Sequence, residues 1–146
     1  MAHNAKFDVD MLAKEGIHPK RVICTFKLAR RMDPGGKIPK YSLQYLRYFL
    51  GIKVEATAHD ALGDILVLEK LFERLFVKMS KSIGPAVVEK RMMEISSKPI
   101  LLSRMYFGKH KGQFFREIPK DYLQWLSEQD DLDEDMRFTV GHYLNG

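Results

Sequence analysis

The chain has 146 residues, room for one ordinary domain or two small ones, and 45% hydrophobic with 29% charged residues marks a folded protein, not a disordered tail. One cysteine, Cys24, excludes an internal disulfide and suits a reducing compartment. No run approaches the roughly 20 apolar residues that cross a bilayer, and no signal-peptide pattern opens the chain, so the expected setting is the cytoplasm, without a membrane.

The net charge of +5 is unevenly spread: +5 over residues 1–80, +6 over 81–120 and −6 over 121–146. A basic middle attracts phosphate backbones without sequence preference, though solvated charge explains it equally well.

Asn4 reads as the N-cap of a first helix in which Asp8 heads an apolar pair, Met11 and Leu12, and which Gly16 and Pro19 stop. Alone, Asp8 is a first-turn acid favoured by the helix dipole. The β-branched and aromatic content of Arg21–Leu28 predicts a buried strand, with Cys24 inside it as a packing residue and not a nucleophile. Arg30, Arg31 and Lys37 flank the turn Pro34-Gly35-Gly36 and read as solvated.

Ser42 opens a helix over Leu43–Leu50 that Gly51 ends. Leu43, Leu46 and Leu50 share one face; Tyr41, Tyr45 and Tyr48 line another and are taken as structural. The clearest periodicity follows Asp64: Val67, Leu68, Leu71 and Leu75 lie on its face, with Glu69, Lys70, Glu73 and Arg74 opposite. A carboxylate aligned with a buried face costs roughly several kcal/mol unless compensated, so Asp64 needs a partner. Two such acids converge if their helices pack side by side, and a divalent cation with oxygen ligands would neutralise both.

This helix is expected to run to about Val77, with 78–85 as a linker and Pro85 opening a helix with Val88, Met92 and Ile95 on one side. Beyond Pro99, Gly108 and Gly112 bracket a basic turn, and Phe114 and Phe115 continue as a strand or hairpin arm. Pro119 then opens a short helix whose Tyr122, Trp125 and Leu126 face one way. Lys109, His110 and Lys111 on that turn either grip a phosphate or sit in water, two readings of equal standing. The acids between Asp130 and Asp135 read as the N-terminal charge of a helix carrying Met136, Val140, Tyr143 and Leu144. No zinc-ligand spacing and no internal repeat occurs.

Taken whole, His3-Asn4-Ala5-Lys6-Phe7-Asp8 and His59-Asp60-Ala61-Leu62-Gly63-Asp64 resemble the second and third motifs of the DEDD exonuclease superfamily, in its histidine-bearing branch. The resemblance implies an RNase H-like α/β fold, two Mg2+ or Mn2+ ions held by four acids, and stepwise 3′-to-5′ hydrolysis of nucleic acid, with single-stranded DNA 3′ ends as substrate. It makes Asp8 and Asp64 metal ligands and His59 the general base, while His3, Asn4 and Phe7 support the site and the terminal nucleotide. Phe107-Gly108-Lys109-His110-Lys111-Gly112, then Ile118-Pro119 and Tyr122-Leu123-Gln124-Trp125-Leu126, resembles the small C-terminal domain of exodeoxyribonuclease X-type proteins, and Lys109 and Lys111 would hold the DNA backbone.

The first motif of the superfamily, Asp-x-Glu, does not occur in the chain. The expectation is therefore an incomplete RNase H-like fold over 1–77, mainly helices with one strand left, a linker or helix over 78–98, and a small basic α+β domain over 99–146. Two-metal hydrolysis needs several fixed carboxylates around ions about 3.5–4 Å apart, so little or no activity is expected of this chain alone. An exposed orphan strand would favour self-association or an N-terminal partner chain. The alternative is a non-catalytic module that binds nucleic acid or protein.

Overall fold

The structure, a computed structural model, describes residues 1–55 and 60–146. Its elements are α1 (Ala5–Lys14), α2 (Thr25–Arg31), α3 (Leu43–Phe49), α4 (Ala61–Ile83), α5 (Pro85–Ser97), a 3-10 turn (Phe115–Glu117), α6 (Lys120–Ser127) and α7 (Glu134–Asn145). They divide into two compact units: 1–32 with 40–98, and 33–39 with 99–146.

In the first unit α4 is the central element, packing against α2, α3 and α5. The residues that bury along it are Gly63, Val67, Leu71, Leu75 and Met79, the face read from Asp64 onward. Val67 and Leu71 are fully enclosed, each contributing about 1.5–3 kcal/mol of transfer free energy. The helix does not stop at Val77. Met79 extends the buried stripe by one more turn, the chain stays helical through the expected linker, and Gly84, at φ 84°, ends it. Pro85 opens α5, which buries Val88 and Met92.

The strand expected over Arg21–Leu28 does not form. Its first half is extended and makes one parallel bridge, Ala2 N–H to Ile23 O and Thr25 N–H to Ala2 O, both at 3.0 Å. From Thr25 the chain coils into α2, because the residues to be buried, Thr25, Leu28 and Ala29, are spaced three and four apart. Cys24 is buried as expected, but ahead of a helix instead of within a strand. Among the described residues there is no strand, so the α/β class reduces to a mostly helical arrangement compatible with part of an exonuclease fold, and association through a strand edge loses its structural basis.

α1 departs from its neighbours, since only Ala5 is buried along its length. Met11 and Leu12, expected to face a core, are exposed, and so are Phe7 and Ile17.

The second unit closes around Leu102, Met105, Phe115, Ile118, Leu123, Leu126, Met136 and Val140. Leu123 and Leu126 form the buried face of α6, whereas Trp125, expected on it, is 52% exposed. The expected hairpin arm at Phe114 is a single antiparallel bridge to Arg104 followed by the 3-10 turn. The extended Ile100–Leu102 stretch pairs with side chains of α7 instead of a strand: Ile100 N–H donates to Asp135 Oδ1 and Leu102 N–H to Thr139 Oγ1, each at 2.9 Å. The acid run thus divides its labour. Asp133 caps α7 by accepting from Met136 N–H at 2.8 Å, while Asp135 is buried on Ile100.

The 33–39 segment joins this unit through Gly36, whose φ of 61° and position leave no room for a side chain: a Cβ would lie 2.7 Å from Ser103 Cβ. Asp33 folds the segment by accepting from Lys37 N–H at 3.0 Å and Ile38 N–H at 2.8 Å. Among the described residues no helix is long and apolar enough to cross a membrane.

Candidate functional site

The first motif stretch is anchored by His3. Its Nε2 lies 2.6 Å from the Tyr41 carbonyl, which can only accept, so Nε2 carries the hydrogen. Nδ1 is then left to accept from the Thr25 hydroxyl at 2.9 Å. Burial pushes the His3 pKa below its ordinary value of 6.5; the Tyr41 carbonyl opposes that shift and the Arg30 charge adds to it. Both ring nitrogens therefore serve protein partners in the neutral ring. The ring also stands edge-on to Phe26, whose centroid is 5.5 Å away, and Arg30 lies over Phe26 at 4.2 Å and Tyr41 at 5.3 Å. Arg30, expected to be merely solvated, is built into this stack.

Asn4 does not cap α1 with its side chain. It sits in the left-handed region, at φ 61° and ψ 53°, which Asn tolerates better than most residues, and its carbonyl accepts from Phe7 N–H. The sharp turn carries the chain from the Ala2 bridge into α1, and Ala5 N–H approaches Cys24 Sγ at 3.4 Å. Phe7 is 64% exposed.

Asp8 is exposed in the first turn of α1 and forms no ion pair among the described residues, Lys6 pairing instead with Asp10 at 2.7 Å. Asp64, half-buried in the first turn of α4, has the partner its position demands: Gln44 Nε2 of α3 donates to Oδ1. Its Oδ2 makes no hydrogen bond among the described residues. Convergence of the two acids depends on α1 packing beside α4, and the main packing partners of α4 are instead α2, α3 and α5. His59 lies outside the described residues.

Carboxylate oxygens are the right donors for a hard cation such as Mg2+ or Mn2+. Among the described residues, however, no three acidic, histidine or cysteine side chains come together as a metal site. Asp8 and Asp64 supply two donors of suitable chemistry, short of the several fixed carboxylates that a two-ion site needs.

In the second unit Lys109 and Lys111 are exposed on the Gly108–Gly112 turn. Lys111 N–H donates to Gly108 O at 3.2 Å and Gly112 N–H to Met105 O at 2.8 Å. His110 Nδ1 meets Gln113 Oε1 at 2.7 Å and its ring stands edge-on to Tyr122, with centroids 4.4 Å apart. The turn is a fixed object, with lysines on either side of an anchored histidine.

Sequence reasoning missed Gln44, Thr25 and Tyr41. Their roles depend on contacts across 20 to 38 residues of chain, for which local spacing carries no signal. Arg104 was also missed, although the absence of acids from 99–116 was visible.

Comparison with known proteins bears on both units. A family described as "Putative quorum-sensing-regulated virulence factor" matches residues 96–133. Exodeoxyribonuclease 10 of Escherichia coli strain K12, and equally that of strain CFT073, is 33% identical over 150 aligned positions, covering 99% of this chain and 64% of that protein. DNA polymerase III subunit epsilon of Treponema pallidum is 33% identical over 93 positions, covering 60% of this chain and 43% of that protein. No solved structure matches. The chain spans just under two thirds of the length of Exodeoxyribonuclease 10. The chain is thus similar along nearly all of its length to an exodeoxyribonuclease, and over part of it to a DNA polymerase subunit.

Proposed function

We propose that this chain is the portion of a metal-dependent 3′-to-5′ exonuclease that carries its second and third motifs, acting on single-stranded DNA ends. The supporting observation is the similarity to an exodeoxyribonuclease along 99% of the chain. Asp8 and Asp64 would provide two of the carboxylates that hold Mg2+ or Mn2+, and the ion would supply Lewis-acid chemistry at the scissile phosphate. His59 accepts the proton of the attacking water. Asp64 is held for this role by Gln44, which engages Oδ1. His3 fixes the approach to α1 through Thr25 and Tyr41, the left-handed Asn4 sets the angle, and Phe7 presents an open ring to the terminal base. Lys109 and Lys111 hold the DNA backbone.

With no Asp-x-Glu motif in it, the chain by itself has little or no activity. The test is release of nucleotides from single-stranded DNA with Mg2+ or Mn2+, run on this chain and on the chain joined to a segment bearing an Asp-x-Glu motif. Activity gained only on joining supports the reading, and Asp64→Asn or His59→Gln then abolishes it; rapid degradation by the 146-residue chain alone overturns its inactivity. One observation favours a second reading, a non-catalytic binding module: the family match at 96–133 contains none of the acids Asp8 and Asp64. No activity in either protein would favour it.

A further inference from the structure

The Gly108–Gly112 turn touches two features that the exonuclease reading does not use. The first is a pair of stacked arginines. Arg104 donates from Nη1 to Gly112 O at 2.8 Å and from Nε to Gly36 O at 3.1 Å, which holds its guanidinium over the Phe114 ring, 3.7 Å from the centroid. Arg116 lies over the same ring at 4.6 Å. A guanidinium clamped this way loses little further rotamer entropy when it meets an anion.

The second is a row of rings leading away from the turn. His110 stands on Tyr122, and Tyr122 lies 5.4 Å from Trp125. Trp125 ends the row 52% exposed on a helix whose buried face is Leu123 and Leu126. Packing does not require a large aromatic there.

Charge decides what these features are for. The segment 99–116 holds four basic residues and no acid. Arg104, Lys109, Lys111 and Arg116 have no carboxylate partner among the described residues, although the same unit carries an acidic run. Uncompensated cations on a rigid frame fit a polyanion, and an open indole beside them fits a base more than an acidic peptide. A duplex hides its base faces, whereas a single strand offers them.

We propose, resting on the nucleic-acid substrate of the exonuclease reading, that the second unit is itself a metal-independent binding surface for single-stranded nucleic acid. Arg104, Arg116, Lys109 and Lys111 meet phosphates and Trp125 stacks on a base.

Trp125 is the chain's one tryptophan, so its fluorescence reads the surface directly. The full chain is titrated in EDTA at low salt with a thymidine oligonucleotide of about 12 nucleotides, near the site sizes of single-strand binders. The expected result is quenching of Trp125, with about tenfold weaker binding and no quenching by an abasic oligonucleotide of equal charge. Lys109→Gln with Lys111→Gln, both exposed and without a side-chain ion pair among the described residues, should keep the fold and flatten the salt dependence, by about 0.7 in log–log slope for each phosphate no longer neutralised. Trp125→Ala should weaken binding of a fluorescein-labelled oligonucleotide about tenfold while leaving the salt slope unchanged. Arg104→Lys, which keeps the charge but not the guanidinium over Phe114, should weaken binding less than Arg104→Gln. Absence of quenching, an unchanged slope in the double lysine variant, or equal binding of polyglutamate overturns the inference. Quenching in EDTA by a chain that never acquires hydrolysis defeats only the exonuclease reading; hydrolysis without quenching defeats only this one.

Discussion

The two units differ in how completely they cover apolar surface. The second unit encloses eight side chains in one core and binds even its extended stretch to Asp135 and Thr139. The first does the same around α4 but leaves α1 bare, with Phe7 and Met11 more than half exposed. The proposed metal ligand Asp8 thus stands on a helix with little support, while Lys109 and Lys111 stand on a turn fixed from several sides. A site needs a rigid frame to hold a transition state, and here the unit expected to do chemistry has the looser frame.

The comparison is broken most directly by emptying each core. Leu71→Ala in α4 should cost about 2–5 kcal/mol and Phe115→Ala about 3–5 kcal/mol. Hydrogen exchange read segment by segment measures each loss. If Phe115→Ala unprotected α6 and α7 by less than 1 kcal/mol or so, the second core would be far looser than its burial implies.

Gly36→Ala is the next largest. The added Cβ must occupy both a positive φ and space held by Ser103, so about 1–3 kcal/mol should be lost from the second unit. Urea unfolding followed by Trp125 fluorescence checks it. An unchanged midpoint would mean that the 33–39 segment contributes nothing to that unit's stability.

A smaller effect comes from His3. Its folded-state pKa lies below the unfolded value, so the unfolded chain takes up the proton first. Stability is therefore full above about 6.5, falls as pH drops through that value, and levels off below the folded pKa. The loss should appear in α1 and α2 protection between neutral and mildly acidic pH and be absent in His3→Gln. A slope that survives the substitution would assign the titration to another group.

How much of this was legible in the sequence depended on the range of the contacts. The face of α4 was readable because Asp64, Val67, Leu71 and Leu75 repeat at helical spacing within one segment, and Pro85 and the acids of 130–135 announced the starts of α5 and α7 by local chemistry. The Arg21–Leu28 stretch misled because β-branched composition spoke louder than the three-and-four spacing of Thr25, Leu28 and Ala29. Of the candidate site, the acids and the basic turn were nameable from motif and composition. That Gln44 would hold Asp64, that both nitrogens of His3 would be taken, and that Arg104 would stack on Phe114 were set by tertiary packing, which pattern does not encode.

The smallest effect is the one that bears hardest on the contrast. Met11 and Leu12 look like core residues in sequence, and a core role predicts a loss of about 2–5 kcal/mol for either. Their exposure predicts that Met11→Gln and Leu12→Gln change the stability of the 146-residue chain by no more than about 0.5 kcal/mol each. Dilution separates the possibilities: a loss near the core value that disappears at low protein concentration means that a second copy covers α1, whereas one that persists means that α1 folds back onto its own unit in solution. If neither loss occurs, joining an Asp-x-Glu segment should make the same two substitutions costly, because the apolar face that α1 leaves open would then have something to bury against.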